Sequence, residues 1–494
     1  MTLRPTSLFA AMALVLASSA SAADLMEAYE MARRSDPQIA AAQANALAIG
    51  ENVTIARAAL LPQINGSIGV VESRGEGVRS TTNPADPTLP PVVVSDDLRT
   101  ASWSVRLDQS IFDWGNYTNL GAARATRAEA HADYEAALDT LLLRVSEAYF
   151  SVLTAEDALA FAESEERAVG RQLEQAEQRF EVGLTAVTDV HEARARFDGA
   201  RAAVIAARNA LDDAHEALAE ITGERFGSVM ALRLNIPLEG PEPEALAEWE
   251  DVALRASPAL AAQRFALEAA ERDIGTARSG HLPSLGGYIT RGGSRVLDGY
   301  DRNEPDFDRT SDDTAIGLSL NIPIFSGFAT RARVRQSTYL RDATADLLEA
   351  ERRGLLRQTR NDFRAVVAGI SEVEARRQAR ISAQSALEAT QAGFEVGTRT
   401  IVDVLLSQQL LFQAQRDYSN ARHQFILNGL RLKQTAGVID VADIQSVNAL
   451  LTNDRLSPEE IGARVSADAQ GDRSELPSGT QPVDDTPPDG SQQP

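Results

Sequence analysis

Residues 179–197, RFEVGLTAVTDVHEARARF, and residues 393–406, GFEVGTRTIVDVLL, are two versions of one phrase. An offset of 214 carries Phe180 onto Phe394, Gly183 onto Gly397, Asp189 onto Asp403 and, without a gap, Gly223 onto Gly437. A period this long is too large for a solenoid and reads as a duplicated half-protein. The likeness extends backwards: residues 36–66 resemble 257–287 at an offset of 221, with Pro37 on Pro258, Arg57 on Arg278 and Leu61-Pro62 on Leu282-Pro283. Between these blocks Ile111-Phe112 matches Ile324-Phe325 at an offset of 213. The drift in offset belongs to loops, and the Pro/Gly/Ser-rich stretches 73–100 and 294–313 are the predicted ones.

Each half reads as helix, strand, loop, strand, very long helix, turn, helix. In the first half helices are expected at about 24–60, 116–181 and 186–222. Leu138, Leu141, Val145, Ala148, Val152, Ala155, Leu159 and Ala162 alternate gaps of three and four, and the run resumes through Val169 to Phe180 after a polar break at Glu166. Val190 to Ile221 repeats the pattern unbroken. A sustained 3.5-residue period is a coiled-coil signature, and a helix over 116–181 is a rod of roughly 100 Å. Taken alone, such rods also fit a periplasmic coiled-coil adaptor or a structural spacer.

Four short strands are predicted near 64–72, 101–110, 285–292 and 314–323. Trp103, Val105 and Leu107 alternate with Ser102, Ser104, Arg106 and Asp108; Ile316, Leu318, Leu320 and Ile322 alternate with Ala315, Gly317, Ser319 and Asn321. An ordinary half-buried sheet gives the same alternation, but so does a membrane β-barrel, apolar towards lipid and polar towards a lumen. Four strands cannot close, bacterial barrels start at about eight, and open edges are not tolerated in hydrocarbon. Several protomers must therefore share one barrel. Trp103 and Trp114, near either end of a strand, are candidates for an interfacial aromatic belt or for plain strand packing.

The ends of the chain indicate where it works. Residues 1–22, MTLRPTSLFAAMALVLASSASA, have the basic start, apolar centre and small-residue end of a secretory signal. Residues 465–494 read as a disordered acidic tail. The rest divides into a first repeat at 23–223, a linker at 224–243, a second repeat at 244–437 and a C-terminal helical segment at 438–464. The chain has no cysteine, so disulfides, thiolate catalysis and a lipid-modified N-terminal Cys are excluded. A net charge of −23 argues against nucleic-acid binding. His191-Glu192 and His215-Glu216 begin a metalloprotease motif, but Ala195 and Ala219 stand where its second His belongs. No constellation for a metal, a cofactor or an enzyme is present. Lys433 is the sole lysine, and no function attaches to it.

The two quoted phrases, the strand entries LPQINGSIGV and LPSLGGYIT, and the strand exits IFDWG and PIFSG together resemble the TolC family of outer-membrane export channels. The resemblance covers about residues 24–440. It implies a homotrimer with four strands per protomer in one 12-stranded β-barrel, continuous with a long periplasmic α-helical barrel that tapers to a closed tip. It implies no enzymatic activity, and export of proteins, small toxic compounds or both, with an inner-membrane transporter and a periplasmic adaptor as partners and outer-membrane lipid around the barrel.

The tip is where chemistry should concentrate. Val-Gly, then Thr, then Asp is a helix end, a left-handed glycine at Gly183 or Gly397 and a new helix start. Thr185 is a plausible N-cap, as is Thr398 or Thr400 in the second copy. Asp189 and Asp403 fall in about the first turn, where the helix dipole favours negative charge. Under threefold symmetry Asp403 would also form an anionic ring in a narrow opening. In the family, tip aspartates form such a ring, and an Asp–Arg–Tyr network holds adjacent coils shut. The matching positions are Asp189 and Arg399, with Phe394 where the family has Tyr and Leu406 where a second ring aspartate would stand. The expected gate is thus one charge ring beside a leucine ring, latched by an Asp189–Arg399 pair. Because Arg399 aligns with Thr185, only one coil carries that arginine.

Overall fold

The computed structural model describes residues 22–79, 92–300 and 310–453. In chain order it contains α1 (Leu25–Ser35), α2 (Pro37–Ala58), β1 (Gln63–Arg79), β2 (Val92–Phe112), α3 (Trp114–Glu181), α4 (Val187–Thr222) and β3 (Ala231–Leu232). Then come α5 (Leu246–Ala256), α6 (Pro258–Ser279), β4 (Ser284–Tyr300), β5 (Thr310–Asn321), α7 (Ala329–Glu395), α8 (Ile401–Ala436), α9 (Val441–Asn448) and β6 (Leu451–Thr452). The long helices match almost residue for residue: 68 residues in α3 against 67 in α7, and 36 in both α4 and α8.

The expected single helix over 24–60 is two helices. Pro37 has no N–H to donate and pushes the residue before it out of the helical region, and Asp36 accordingly sits at φ −64°, ψ 117°. Its buried carboxylate accepts from the N–H of Gln38 at 2.6 Å and of Ile39 at 3.0 Å, which starts α2, and Arg144 of α3 donates to it as well. Ser257-Pro258 does the same between α5 and α6, the Ser257 hydroxyl accepting from Leu260 N–H at 3.4 Å.

Of the expected loops at 73–100 and 294–313, residues 80–91 and 301–309 lie outside the described residues, and the rest is strand. β1 and β2 stay in register out to Arg79↔Val92, β2 pairs with β4 out to Asp97↔Tyr300, and β4 pairs with β5 from Ser284↔Asn321 to Arg295↔Thr310. A ladder needs only backbone N–H and C=O, which Gly, Ser and Arg supply as well as Val. Side-chain alternation therefore underestimates strand length wherever the outer residues are small or polar.

The four long strands form one antiparallel sheet in the order β1-β2-β4-β5, and both outer strands lack a partner among the described residues. Beneath it the helices follow the same order: α2 packs on α3, α3 on α6 and α6 on α7. Farther from the sheet α3 pairs with α4, α7 with α8, and α3 with α8. The apolar side of the sheet is uncovered among the described residues: Ile68 is 90 %, Ile316 77 % and Leu318 73 % exposed. On the alternate positions Arg106 stacks over the Tyr288 ring at 4.7 Å and donates to Asp108 at 2.9 Å.

The largest core lies at the waist, where α1, α5 and α9 wrap the middle of α3 and the end of α8. Tyr149 is fully buried there and its hydroxyl lies 3.0 Å from the carbonyl oxygens of Ala23 and of Met230. Buried Arg422 donates to the carbonyls of Leu232 and Arg233, fastening the β3–β6 pair to α8. Lys433 donates to Asp443 and ties α9 down. The segment 438–464, expected to be helical, is helix only at Val441–Asn448, then strand at Leu451–Thr452. Residues 454–464, the acidic tail and residues 1–21 of the expected signal lie outside the described residues.

Candidate functional site

The α3–α4 and α7–α8 connections, at the ends of the rods away from the sheet, are built from the same backbone. α3 closes with Gly183 at φ +77°, its N–H on Phe180 C=O at 2.9 Å and Leu184 N–H on Arg179 C=O at 2.8 Å. α7 closes with Gly397 at φ +79°, its N–H on Phe394 C=O at 3.1 Å and Thr398 N–H on Gly393 C=O at 2.8 Å. Each pair of bonds satisfies two otherwise orphaned carbonyls in the Schellman pattern, and the left-handed residue is glycine because a Cβ there is strained.

The helix starts differ, and here one sequence expectation is corrected. The N-cap of α4 is Ala186, which has no side chain to cap with. Thr185 instead turns its hydroxyl onto the Asp189 carboxylate. Thr185 stands one residue before the N-cap, and its hydroxyl bonds the aspartate, not a first-turn amide. In the second copy the N-cap is Thr400, not Thr398. The Thr400 hydroxyl accepts from Asp403 N–H at 3.2 Å, and Thr400 N–H donates to Asp403 Oδ2 at 3.0 Å, a complete capping box. Thr398 donates to Gly393 C=O at 3.0 Å and so belongs to the end of α7. The Thr400 backbone and hydroxyl bonds, with Arg399 nearby, hold the Asp403 carboxyl below the usual carboxylate range.

The structure does not bring Asp189 and Arg399 together within one chain: among the described residues Arg399 makes no ion pair, and Asp189 is occupied by Thr185. The aliphatic stem of Arg399 runs over Gly393, where a Cβ would come within 2.8 Å of its Cγ. Phe394 is half-buried and packs against two apolar clusters, one that includes Ala176, Ala193 and Ile401 and one that includes Leu387 and Val404. The guanidinium of Arg179 lies over its ring at 4.6 Å. That cation–π contact joins the end of α3 to the end of α7, and sequence reading did not single out Arg179 or Gly393. Arg179 stands at the start of the first quoted phrase and Gly393 at the start of the second, but only tertiary packing sets the ring under the guanidinium.

Two further polar contacts cross the coils: Arg194 with Glu177 at 2.8 Å, and Arg196 with Gln409 at 3.0 Å. At the extremity Val182 is 68 %, Leu184 76 % and Val396 75 % exposed, beside the exposed Thr398 and Arg399; Leu406, at 47 %, is also uncovered. Among the described residues no cluster of His, Cys, Asp and Glu could hold a metal ion.

The sequence profile of the family described as Outer membrane efflux protein matches residues 28–224 and 249–438. Outer membrane protein TolC of Vibrio cholerae is 38 % identical over 442 residues, covering 88 % of this chain and 95 % of that protein. The alkaline protease secretion protein AprF of Pseudomonas aeruginosa is 29 % identical over 448 residues, covering 90 % of each. In fold, the CmeC outer membrane channel of Campylobacter jejuni superposes with a TM-score of 0.70 at 16 % identity, covering 87 % of this chain and 90 % of that one.

Proposed function

Because the chain belongs to the outer membrane efflux protein family and is an outer-membrane export channel with a periplasmic tunnel, we propose that it acts as a homotrimer whose three four-stranded sheets close into one 12-stranded barrel. The observation that carries this is the pair of open edges, β1 and β5, on a sheet whose apolar face is uncovered among the described residues. An unpaired edge in hydrocarbon costs several kcal/mol per unsatisfied group, and β1 of one copy pairing with β5 of the next removes both. The helix layer, open at α2 and α7 in the same order, closes with it into an α-barrel, and the two halves act as structural repeats around that tube. A periplasmic coiled-coil adaptor, the other reading of the rods, is not favoured, since it has no use for an exposed apolar sheet.

The chain's freedom from cysteine makes the test direct. One cysteine on β1 and one on β5, scanned in register, should oxidise to trimers that survive denaturing electrophoresis; cross-links confined to single chains or to dimers would defeat the closed barrel.

The tip is the gate in this reading. Three copies of Asp403, held ionised by their capping boxes, form an anionic ring, and the exposed Leu406 side chains form an apolar ring one turn on. Arg399, which makes no ion pair among the described residues of its own chain, latches to Asp189 of the adjacent coil. Phe394 lacks the hydroxyl of the family's Tyr, and Arg179 stacking replaces part of that hold. Gly183, Thr185, Gly397 and Thr398 shape the turns that present these residues. An inner-membrane transporter and a periplasmic adaptor supply energy and cargo, and the likeness to a protease secretion protein supports polypeptide among the cargoes. Single-channel recordings of Arg399→Ala and Asp403→Ala test the gate: Arg399→Ala should raise conductance and Asp403→Ala should weaken cation selectivity. Wild-type values in both would sink it.

A further inference from the structure

The membrane-proximal ends of the upper helices carry positive charge that the channel reading leaves unused. α7 opens with Arg331, Arg333 and Arg335, all exposed, and has no acidic residue before Asp342. Its neighbour α6 carries Arg278 in its last turn, and α2, at the other edge of the helix layer, carries Arg57 in its last turn; both are exposed. Among the described residues none of these five makes an ion pair or a side-chain hydrogen bond.

In a chain of net charge −23, such a cluster is not a solvated face of average composition. The three arginines of α7 also stand at the positively polarised end of their helix, where cations are disfavoured. A neighbouring protomer does not resolve this. Closure of the helix layer would set α2 beside α7, and near that level α2 offers Arg57 and a single acid, Glu51, so it adds a cation for the one it can answer.

What adjoins the cluster is apolar. β5 passes into α7 through Ile322, Ile324, Phe325 and Phe328, between 58 and 94 % exposed, with the two phenyl rings edge to face at 5.6 Å. This uncovered step continues the apolar face of the sheet, and the arginines begin within a turn of it.

We propose that Arg57, Arg278, Arg331, Arg333 and Arg335 make a collar that binds the phosphate headgroups of anionic phospholipids in the periplasmic leaflet, the apolar step lying at the acyl boundary. Guanidinium forks suit phosphate oxygens bidentately, and cations placed just outside a hydrocarbon layer draw anionic lipid to them. The proposal rests on the outer-membrane location and adds a lipid specificity to it. Positions two apart on a helix lie about 200° around it, so Arg331 and Arg335 share a side and Arg333 takes another; the test removes all three together.

The detergent-solubilised full chain would be titrated with phosphatidylglycerol or with phosphatidylcholine, lipid retention being read by native mass spectrometry. The wild type should prefer phosphatidylglycerol. Each arginine near an anionic surface is worth about 1 kcal/mol, roughly fivefold, so R331Q/R333Q/R335Q should lose on the order of 100-fold of that preference. The triple change to Lys should keep most of it, phosphatidylcholine binding should not move, and high salt should erase the difference. Equal binding of the two lipids by the wild type, retention of the preference in the Gln variant, or full competition by inorganic phosphate at equal phosphate concentration would each overturn the collar. Conductance of the Gln variant in planar bilayers reports on the channel separately, so loss of lipid preference and loss of the channel are distinguishable.

Discussion

Thr400→Ala and Thr185→Ala are the same substitution at aligned ends of the repeat, yet the structure assigns them different costs. Thr400→Ala removes the hydroxyl that accepts from Asp403 N–H at 3.2 Å and donates to the Asp403 carboxylate at 3.0 Å. It leaves the reciprocal bond from the residue-400 N–H to Asp403 at 3.0 Å in place. Loss of an N-cap side chain costs about 0.5–2 kcal/mol. With half the box surviving, about 1 kcal/mol is the working value, roughly a fivefold rise in local opening. Thr185 bonds no amide of α4, whose N-cap is Ala186, so Thr185→Ala should change opening there by less than about twofold. Hydrogen exchange of the purified protein resolves this peptide by peptide, because helix ends exchange by local opening. The first-turn amides of α8 should exchange about five times faster in Thr400→Ala, and those of α4 should hardly move in Thr185→Ala. Equal acceleration in the two, or no change in α8, would refute the asymmetry of the caps.

Asp403→Asn should weaken the start of α8 at neutral pH. The folded carboxyl is held below its ordinary range, so its contribution is full above about pH 4 and is lost as pH falls through the folded value; wild type and variant should converge there in exchange protection. Asp139 is the opposite case: burial, and then Glu135, push its carboxyl up to about 6, so its charge costs stability at pH 7. Asp139→Asn should raise the thermal midpoint at pH 7 to 8, with the advantage shrinking as pH falls through about 6 and gone near pH 4. A double-mutant cycle on Arg179→Ala and Phe394→Ala, read as tip opening, should give a coupling of about 0.5–1 kcal/mol for a cation–π contact at a half-exposed site; additive effects would remove that bridge from the account.

Helix type was legible because a 3.5-residue period sustained from Leu138 to Phe180, and again from Val190 to Ile221, has one physical solution. Even so, a helix expected over 24–60 runs across Pro37, although the missing N–H of Pro37 and its effect on Asp36 are local signals in plain view. The strands were located by side-chain alternation and were therefore cut short where Gly, Ser and Arg extend the ladder without a pattern. Among site residues, Gly183 and Gly397 were identifiable from the turn chemistry alone. Arg179 was not, since its meaning depends on Phe394, 215 positions away.

What the sequence by itself determined is the duplicated order of elements, the rods, the lipid-type alternation of two strands and the place of the turns, because each follows from periodicity or from the φ a single residue tolerates. Only the tertiary structure decided which threonine caps a helix, which partner Asp189 takes, that Arg179 lies over Phe394, and that β1 and β5 are left as edges. Those outcomes depend on ångström-scale distances between atoms remote in the chain, or on a one-residue shift in where a helix begins, and aligned repeats carry no information about either.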